Sequence, residues 1–347
     1  MSNKSVNSFF AGISNYVIPS QIIMPAIQRW RKPPEGTCLT YSYGHVLFRP
    51  EPWVADAECA SFLISPGGRQ FDRFGWLLEK ALSSTHCKRI ICWSEAGKKT
   101  FVEGLNSERF RHKVQVVYYS VPPKLFNKRY ERQSKTKLLF VGSQLPIRSF
   151  EIYGGLELLE AFEVILRSYD VELTIRAKVP QNIKSKYASV SRIRIIDEII
   201  PWNEMEKEFQ NADIGVLPYH TTTPHTILDM MSYELPIVAR NCWATPEYIQ
   251  DNVTGLLIQP SQKVPYYYKK TCHPNFTSGE FRRAIDQPDR LVVEDLVKTL
   301  TMLIENPELR QRLGRAARYE VERNKFSLLV RNVKLGKIFD EASNIER

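Results

Sequence analysis

The chain has 347 residues, of which 43% are hydrophobic and 25% are charged, so it is long enough for two domains with sizeable cores. Its formal net charge of +10 favours anionic partners such as nucleic acid, an acidic membrane surface or phosphate-bearing small molecules. Because the basic residues are spread along the chain and form neither an arginine-rich tract nor an RNA-binding signature, nucleic acid is not expected among its partners.

The six cysteines, at positions 38, 59, 87, 92, 242 and 272, form no C-x-x-C pair and show no regular disulfide spacing. They are predicted to be reduced, which suggests the cytosol. No metal site is predicted, since His86, Cys87 and Cys92 lack the spacing of metal ligands. The sequence has no signal peptide and no apolar run near the ~20 residues that cross a bilayer. We therefore expect a cytoplasmic protein, with peripheral contact at the inner face of the membrane left open.

The first half of the chain predicts alternating strands and helices after an unusual start. Residues 1–35 are apolar but interrupted by Pro19 and Pro25, which favours an arm packed on the core over one long amphipathic helix. Strands are predicted at 37–43, 45–48, 89–94 and 113–119, and helices at 71–84 and 95–105. Ser94 stands where it can cap the second of these helices.

A Pro-rich and then charged stretch at 120–137 predicts a linker. The alternation then starts again, with strands predicted at 138–142, 171–175, 192–196, 213–219, 236–240 and 255–258 and helical segments between most of them. The last segment, 326–342, is amphipathic and offers four apolar side chains for packing: Leu328, Leu329, Val333 and Ile338. Strands that alternate with helices imply a parallel, doubly wound sheet, in which ligands bind at the carboxyl ends of the strands.

One stretch of the second half has the form of an anion site. Residues 217–240, "LPYHTTTPHTILDMMSYELPIVAR", predict a strand, a polar turn, the start of a helix and a second apolar strand. The first amides of a helix have no intrahelical acceptor, and the helix dipole favours negative charge at this end. The pattern therefore predicts that the turn binds an anionic ligand such as a phosphate.

From residue 138 to residue 260 the sequence resembles the retaining glycosyltransferases of family 4. The resemblance rests on an ordered set of segments: "LLFVG…GGLELLEAF", "VELTIRAKVP", "IIPWNEMEKEFQNADIGVLPY", "TTPHTILDMMSYELPIVAR" and "ATPEYIQDNVTGLLI". It implies an α/β fold of GT-B architecture, in which two Rossmann-like doubly wound domains face a central cleft. The implied layout is an acceptor-side domain at 1–133, joined by a C-terminal helix at 326–347, and a donor-binding domain at 134–325.

The resemblance implies a site for a nucleotide sugar. The family uses a pair of acids eight residues apart, and the second position is Asp229, which is expected to bind the ribose hydroxyls. The first position, which usually contacts the donor sugar, is Thr221 here. The turn that follows lacks the usual glycines, but the amides of Thr226 and Ile227, with His225 beside them, are expected to receive the diphosphate.

The family also places a basic pair after the first strand of this domain, where it neutralises the leaving diphosphate. The positions of the usual lysine and arginine are Tyr153 and Ser143 in this chain, so the pair itself is missing. Arg148 lies in the same loop, and Arg176 and Lys178 follow the next strand. Because a guanidinium binds phosphate oxygens in a bidentate manner, the two arginines are preferred as catalytic residues, and Tyr153 and Lys178 are expected to contribute to donor binding.

The first half of the chain is expected to hold the acceptor. Family members often carry an active-site histidine after an early strand, and His45 in "YSYGHVLF" is the candidate. Asp56 and Glu58 imitate the metal-binding acid pair of another glycosyltransferase fold, but the GT-B resemblance argues against a metal.

These observations imply an enzyme that transfers a sugar from a nucleotide-diphosphate donor to a glycan or lipid-linked glycan, with retention at the anomeric carbon. Neither a cofactor nor a divalent metal is expected beyond the donor substrate. Two alternatives stay open. Thr221 and Tyr153 favour a non-catalytic glycan- or nucleotide-binding protein on a degenerate scaffold, and a nucleotide-sugar epimerase shares the fold. A dinucleotide dehydrogenase is disfavoured because no G-x-G-x-x-G follows a strand.

Overall fold

The computed structural model describes residues 33–64, 71–126, 128, 135–144, 150–268 and 272–343. The arm predicted at the N-terminus lies outside this range except for its last three residues, and so do part of the predicted linker and Arg148. The chain forms two compact units. The first comprises Met1–Tyr118, Tyr267–Ser278 and Arg331–Arg347, and the second comprises Tyr119–Tyr266 and Gly279–Val330.

The first unit is built on a parallel sheet of four strands in the order β1-β2-β3-β4. The strands are β1 Thr40–Tyr43, β2 Trp53–Ala57, β3 Cys87–Cys92 and β4 Val114–Val116. One face carries a core that includes Trp53 and Ile90, against which helix α1 (Phe71–Ser83) packs. Helix α2 (Glu95–Val102) follows β3, and the Ser94 side chain accepts a hydrogen bond from the Gly97 amide at 2.9 Å, which confirms the predicted cap.

One strand prediction in this unit was wrong, and one strand was not predicted. Residues 45–48 form no strand, although Val46 and Leu47 are buried. These apolar residues pack into the core although they belong to a loop. The strand β2, which sequence reasoning did not predict, contains an acid, Asp56, and pairs with β1 and β3 on either side. An acid in mid-strand argues against a buried strand unless its carboxylate finds donors, and here it does.

The C-terminal helix α11 (Leu328–Ser343) covers the other face of the first sheet, but with different residues from those predicted. The residues that pack on the sheet recur at helical spacing: Leu335, Ile338, Phe339 and Ala342. Of the four predicted side chains, Ile338 is buried, whereas the exposed ones are Leu328, Leu329 and Val333. The segment is therefore an amphipathic helix, as predicted, but it packs through residues nearer the C-terminus than those predicted.

The second unit contains a parallel sheet of six strands in the order β10-β9-β8-β5-β6-β7. The strands are β5 Thr136–Val141, β6 Val171–Arg176, β7 Ile193–Ile196, β8 Ile214–Leu217, β9 Ile237–Arg240 and β10 Gly255–Ile258. Each lies on a strand that the sequence predicted. The chain runs outward from β5 to β7 and then returns to β8 beside β5, so the strand order reverses between β5 and β8. Ligands of doubly wound sheets bind at such a reversal, beyond the carboxyl ends of the strands.

Helices surround the second sheet. They are α3 Gly155–Ile165, α4 Gln181–Tyr187, α5 Trp202–Asn211, α6 Pro224–Ser232, α7 Thr245–Tyr248, α8 Gly279–Ile285, α9 Arg290–Glu305 and α10 Pro307–Glu322. The two long helices support those that enter the site, since α9 packs on α3 and α10 packs on α6. No helix in the described part of the chain is both long and apolar enough to cross a membrane.

Candidate functional site

The candidate site lies at the carboxyl edge of the second sheet, where the strand order reverses. The loop that follows β8 leads directly into α6, which begins at Pro224. Proline suits the first helical position because its ring fixes φ and the amide it lacks would have had no acceptor there. The Ile227 amide donates to the Thr223 carbonyl at 3.2 Å and is thus used within the helix. Of the two amides predicted to bind a diphosphate, the one that remains available in the first turn is that of Thr226.

Asp229 lies one turn inside α6 in a half-buried position. Burial raises the pKa of its carboxyl from 3.8 to about 6, while the positive charge of Lys124 opposes the shift and Glu206 adds to it. A carboxylate kept in such surroundings costs stability, and carboxyl groups with a strongly shifted pKa are common in functional sites.

A cluster of rings and charges surrounds Lys124 beside this carboxyl. The Lys124 ammonium lies 3.4 Å from a Glu206 oxygen, 4.9 Å from the ring centre of Trp202 and 5.6 Å from that of Tyr233. The Tyr233 hydroxyl donates to the same Glu206 carboxylate. Since Trp202 is 49% exposed, the cluster offers an aromatic surface next to the proposed ribose acid.

The other residues predicted around the turn lie close by. His225 is exposed, and its ring contacts that of Tyr119 with centroids 4.1 Å apart. Thr221, which stands in the family's first acid position, is half-buried in the loop after β8. A threonine can offer a hydroxyl to a bound sugar but no negative charge, so this position provides hydrogen bonding only.

Of the basic candidates, Arg176 has the surroundings of an anion ligand. It ends β6 at the same edge of the sheet, half-buried, and burial lowers the pKa of its guanidinium. Its closest partner is the Gly142 carbonyl at 3.4 Å, and among the residues described no carboxylate lies within ion-pair distance of it. Lys178, in contrast, lies 3.6 Å from Asp197, a carboxylate that Lys184 also contacts. Lys178 therefore has a carboxylate partner, which it shares with Lys184.

Tyr153 packs as a core residue rather than as a polar ligand. It is buried and contacts the Tyr219 ring edge to face, with centroids 4.8 Å apart. The next residue, Gly154, has φ of 69° and lies so close to the β8 loop that a Cβ there would stand 2.1 Å from the Pro218 carbonyl oxygen. The start of α3 is thereby pressed against the loop that precedes α6, and only glycine fits between them.

Beneath this loop lies a buried polar cluster that sequence reasoning missed. Arg240, at the end of β9, donates to the Glu157 carboxylate at 3.0 Å and to the Pro218 carbonyl at 2.9 Å. The Nε2 atom of His220 lies 3.1 Å from the same Glu157 oxygen, and its Nδ1 atom lies 3.0 Å from the Tyr266 hydroxyl. Glu157, His220 and Arg240 are almost fully buried. The cluster thus fastens α3, the β8 loop and β9 to one another.

The charges of this cluster compensate each other. Burial would raise the pKa of Glu157, but the hydrogen bond from His220 and the charge of Arg240 outweigh it and hold that pKa below its ordinary value. Burial and the charge of Arg240 lower the pKa of His220. A neutral imidazole beside a carboxylate must carry its proton on the nitrogen that faces it, so His220 donates through Nε2 and accepts from Tyr266 through Nδ1. The sequence signal for this cluster is Arg240 itself, because an arginine at the end of an apolar strand is expected to be buried and then needs an acidic partner.

The acceptor-side candidates lie in the first unit. His45 follows β1, and partial burial lowers the pKa of its imidazole; its carbonyl accepts a hydrogen bond from the Ser42 hydroxyl at 2.9 Å. Asp56 is buried and receives hydrogen bonds from Tyr41 and Trp93, so its carboxylate is used within the fold. Within the described ranges, no group of three or more His, Cys, Asp or Glu side chains could hold a metal ion.

Comparison with known proteins finds a family model that matches mainly the second unit. Residues 123–270 match the family model described as glycosyl transferases group 1. An uncharacterized glycosyltransferase from Haemophilus influenzae is 22% identical over 239 residues, which are 67% of this chain and 56% of that relative. The chain therefore matches little more than half the length of this curated relative.

Solved structures share the fold of the whole chain. A glycosyltransferase from Rickettsia africae ESF-5 has a TM-score of 0.63 at 14% identity, over 94% of this chain and 81% of that one. The Anabaena protein Alr3699/HepE, solved in complex with UDP, has a TM-score of 0.57 at 13% identity, over 84% of this chain and 72% of that one. The two parallel-sheet units therefore have the fold of GT-B glycosyltransferases.

Proposed function

We propose that the protein is a glycosyltransferase that moves a sugar from a nucleotide-diphosphate donor to a glycan or lipid-linked glycan, with retention at the anomeric carbon. The family match and the fold support the reaction class. The observation that carries the proposal is the placement of Asp229 one turn inside α6, the helix that begins at the strand reversal of the second sheet.

In the proposed complex, the carboxylate of Asp229 accepts hydrogen bonds from the ribose hydroxyls of the donor. The first turn of α6 receives the diphosphate through its dipole and the Thr226 amide. Arg176 supplies positive charge from the end of β6, where its guanidinium has no carboxylate partner among the described residues. As donor we propose a uridine diphosphate sugar, because the similarly folded Alr3699/HepE was solved with UDP.

The proposed chemistry is attack from the face of the leaving group. The bond between the anomeric carbon and the diphosphate oxygen breaks, and its electron pair leaves with the diphosphate. The acceptor hydroxyl bonds to the same face of that carbon and passes its proton to a diphosphate oxygen. A covalent double displacement needs a carboxylate against the sugar, and the family's acid position holds Thr221. Charge that develops on the diphosphate is stabilised by Arg176 and the Thr226 amide, without a divalent metal.

Donor turnover in the absence of acceptor tests this function. The protein is incubated with a panel of UDP-sugars, and the release of UDP is followed alongside the thermal shift produced by UDP. We expect stabilisation by UDP, which at 100 times its dissociation constant amounts to roughly 2.7 kcal/mol, and slow release of UDP from one sugar of the panel. The proposal would be contradicted if UDP did not stabilise the protein and no sugar of the panel released UDP.

A second candidate is a binding protein on the same fold that has lost catalysis. It is favoured by the buried Tyr153 in the position of the family's lysine and by the pairing of Lys178 with Asp197. Both observations reduce the positive charge near the leaving group. This protein would be stabilised by UDP but would release none from a UDP-sugar, so the same experiment separates the two functions.

A further inference from the structure

An aromatic surface lies at the carboxyl edge of the first sheet and has no role in the donor site. Three strands end side by side there, with Tyr43 at the end of β1, Asp56 near the end of β2 and Trp93 directly after β3. This edge of a parallel sheet is where doubly wound units bind their ligands. Tyr43 and Trp93 are stacked, with ring centroids 5.7 Å apart and planes inclined by 16°. We call this pair the Tyr43–Trp93 stack.

The stack exposes one aromatic face. The indole of Trp93 stacks on the Tyr43 ring and is 7% exposed, whereas Tyr43 is 50% exposed, so the solvent-accessible part of the stack is the tyrosine. Phe62 borders both rings, with its centroid 6.1 Å from that of Tyr43 and 5.9 Å from that of Trp93. A half-exposed ring supported from behind is a flat apolar surface with a hydroxyl at its rim.

The surface is held in place by a buried carboxylate. Asp56 is 2% exposed, and its two oxygens accept hydrogen bonds from the Trp93 indole and the Tyr41 hydroxyl. Burial raises the pKa of Asp56, and these two donors oppose that rise. Taking a carboxylate out of water is costly, and its two donors here fix the orientation of the indole under Tyr43.

The turn after β1 fits the same arrangement. Gly44 has φ of 70°, and its amide donates to the Asp56 carbonyl at 2.8 Å. A Cβ on Gly44 would lie 2.8 Å from the Phe62 ring. Glycine is thus required both by the backbone and by the ring that borders the stack.

We propose that the Tyr43–Trp93 stack is the subsite for a sugar ring of the acceptor. This rests on the proposed function, with the nucleotide on the second unit and the acceptor on the first, as the resemblance to the glycosyltransferases implies. One face of a pyranose presents C–H groups and its rim presents hydroxyls, which matches an apolar ring face bordered by a phenol hydroxyl. A flat ring of the nucleotide base would also stack there, and the experiment distinguishes the two.

The test measures sugar binding separately from donor binding. Saturation-transfer NMR is recorded on the full chain with neutral disaccharides of glucose, galactose and N-acetylglucosamine, and with UDP. Tyr43→Ala removes the ring, and Tyr43→Phe keeps the stacking face. The matched control is Trp76→Ala, which removes an exposed aromatic ring, 60% exposed, from α1 of the same unit.

We expect at least one disaccharide to receive saturation on its ring protons from the wild type, from Tyr43→Phe and from Trp76→Ala. Tyr43→Ala should reduce that signal at least fivefold without changing the response to UDP. No signal from any disaccharide with the wild type, or an equal signal with Tyr43→Ala, would overturn the proposal, as would a UDP signal that depends on Tyr43. Failure of the proposed function has a different signature, since the disaccharide signal would persist while UDP neither bound nor was released.

Discussion

Asp229 is the residue at which ligand binding and stability are expected to oppose each other. Its pKa is about 6 in the folded protein and 3.8 in a model peptide. Between these two pH values the folded protein holds a proton that the unfolded chain has lost, so the contribution of this group to stability falls as the pH rises through that window and stays low above it. Asp229→Asn should therefore raise the free energy of unfolding at pH 7.5 by on the order of 2 kcal/mol and change it little at pH 4.

Urea unfolding at the two pH values measures this effect, and Glu160→Gln on the exposed side of α3 is the control. The same Asp229→Asn protein should bind UDP more weakly by about 1–3 kcal/mol in calorimetry, since an ionised acceptor of hydrogen bonds is lost. A variant that is more stable and binds UDP as well as the wild type would show that this carboxylate does not contact the nucleotide.

Arg176 should act mainly on the rate. A cation that faces charge developing on the leaving diphosphate contributes more to the transition state than to the bound donor. Arg176→Ala is expected to lower kcat for donor turnover about 10²- to 10³-fold while the dissociation constant for UDP rises much less. Lys178→Ala should have a small effect on both, because its charge lies against Asp197. Equal losses of kcat in the two variants would count against the role of Arg176.

The sequence predicted candidate residues that lie within one short stretch, but it did not predict side-chain contacts between residues that are far apart in the chain. Asp229 and the turn before α6 follow from a single run of residues, and Arg176 from the end of one strand. Glu157 is separated from His220 by 63 positions and from Arg240 by 83. Nothing in the local pattern of α3 shows that one acid among its apolar residues faces inward, because its partners arrive from other strands.

Strands with a regular apolar pattern were predicted well. Elements whose position depends on contacts with distant residues were not. Every strand of the second sheet was found. The central strands β8 and β9 are buried throughout and apolar, and β6 alternates buried and half-buried residues. The strand β2 was missed because Asp56 interrupts its apolar run, and residues 45–48 were taken for a strand although they pack from a loop. The residues of α11 that pack on the sheet are those that meet Val54 and Ile91, and the sequence of the helix alone does not show which ones these are.

The buried cluster of Glu157, His220 and Arg240 joins α3, the β8 loop and β9, so its charges are expected to affect the stability of the fold. Arg240→Leu leaves the Glu157 carboxylate without its charged partner, and should lower the free energy of unfolding by about 3–5 kcal/mol. The double variant Arg240→Leu with Glu157→Leu removes both charges and should recover more than half of that loss. Urea unfolding of the single and double variants measures both effects. A double variant as unstable as Arg240→Leu would mean that the shape of the arginine, rather than its charge, supports the β8 loop.

The stereochemistry and metal requirement belong to the whole molecule, since they depend on donor and acceptor together. We expect the product glycoside to keep the anomeric configuration of the donor, as NMR of the purified product measures. Activity should be unchanged in EDTA, because Arg176 and the first turn of α6 supply the charge that a metal would otherwise bring. Inversion, or activity lost in EDTA and restored by manganese, would contradict the proposed chemistry.

The chain passes between its two units four times, which limits how they can be separated by proteolysis or exchanged by recombination. The first unit takes back Tyr267–Ser278 and everything from Arg331 onward, so the boundaries fall after Tyr118, Tyr266, Ser278 and Val330. A protease that cuts at any one of these leaves three covalent links in place. Neither unit is a contiguous fragment that can be expressed by truncating a gene at one point. A recombination event that exchanged the second unit for another would have to replace two separate coding segments at once.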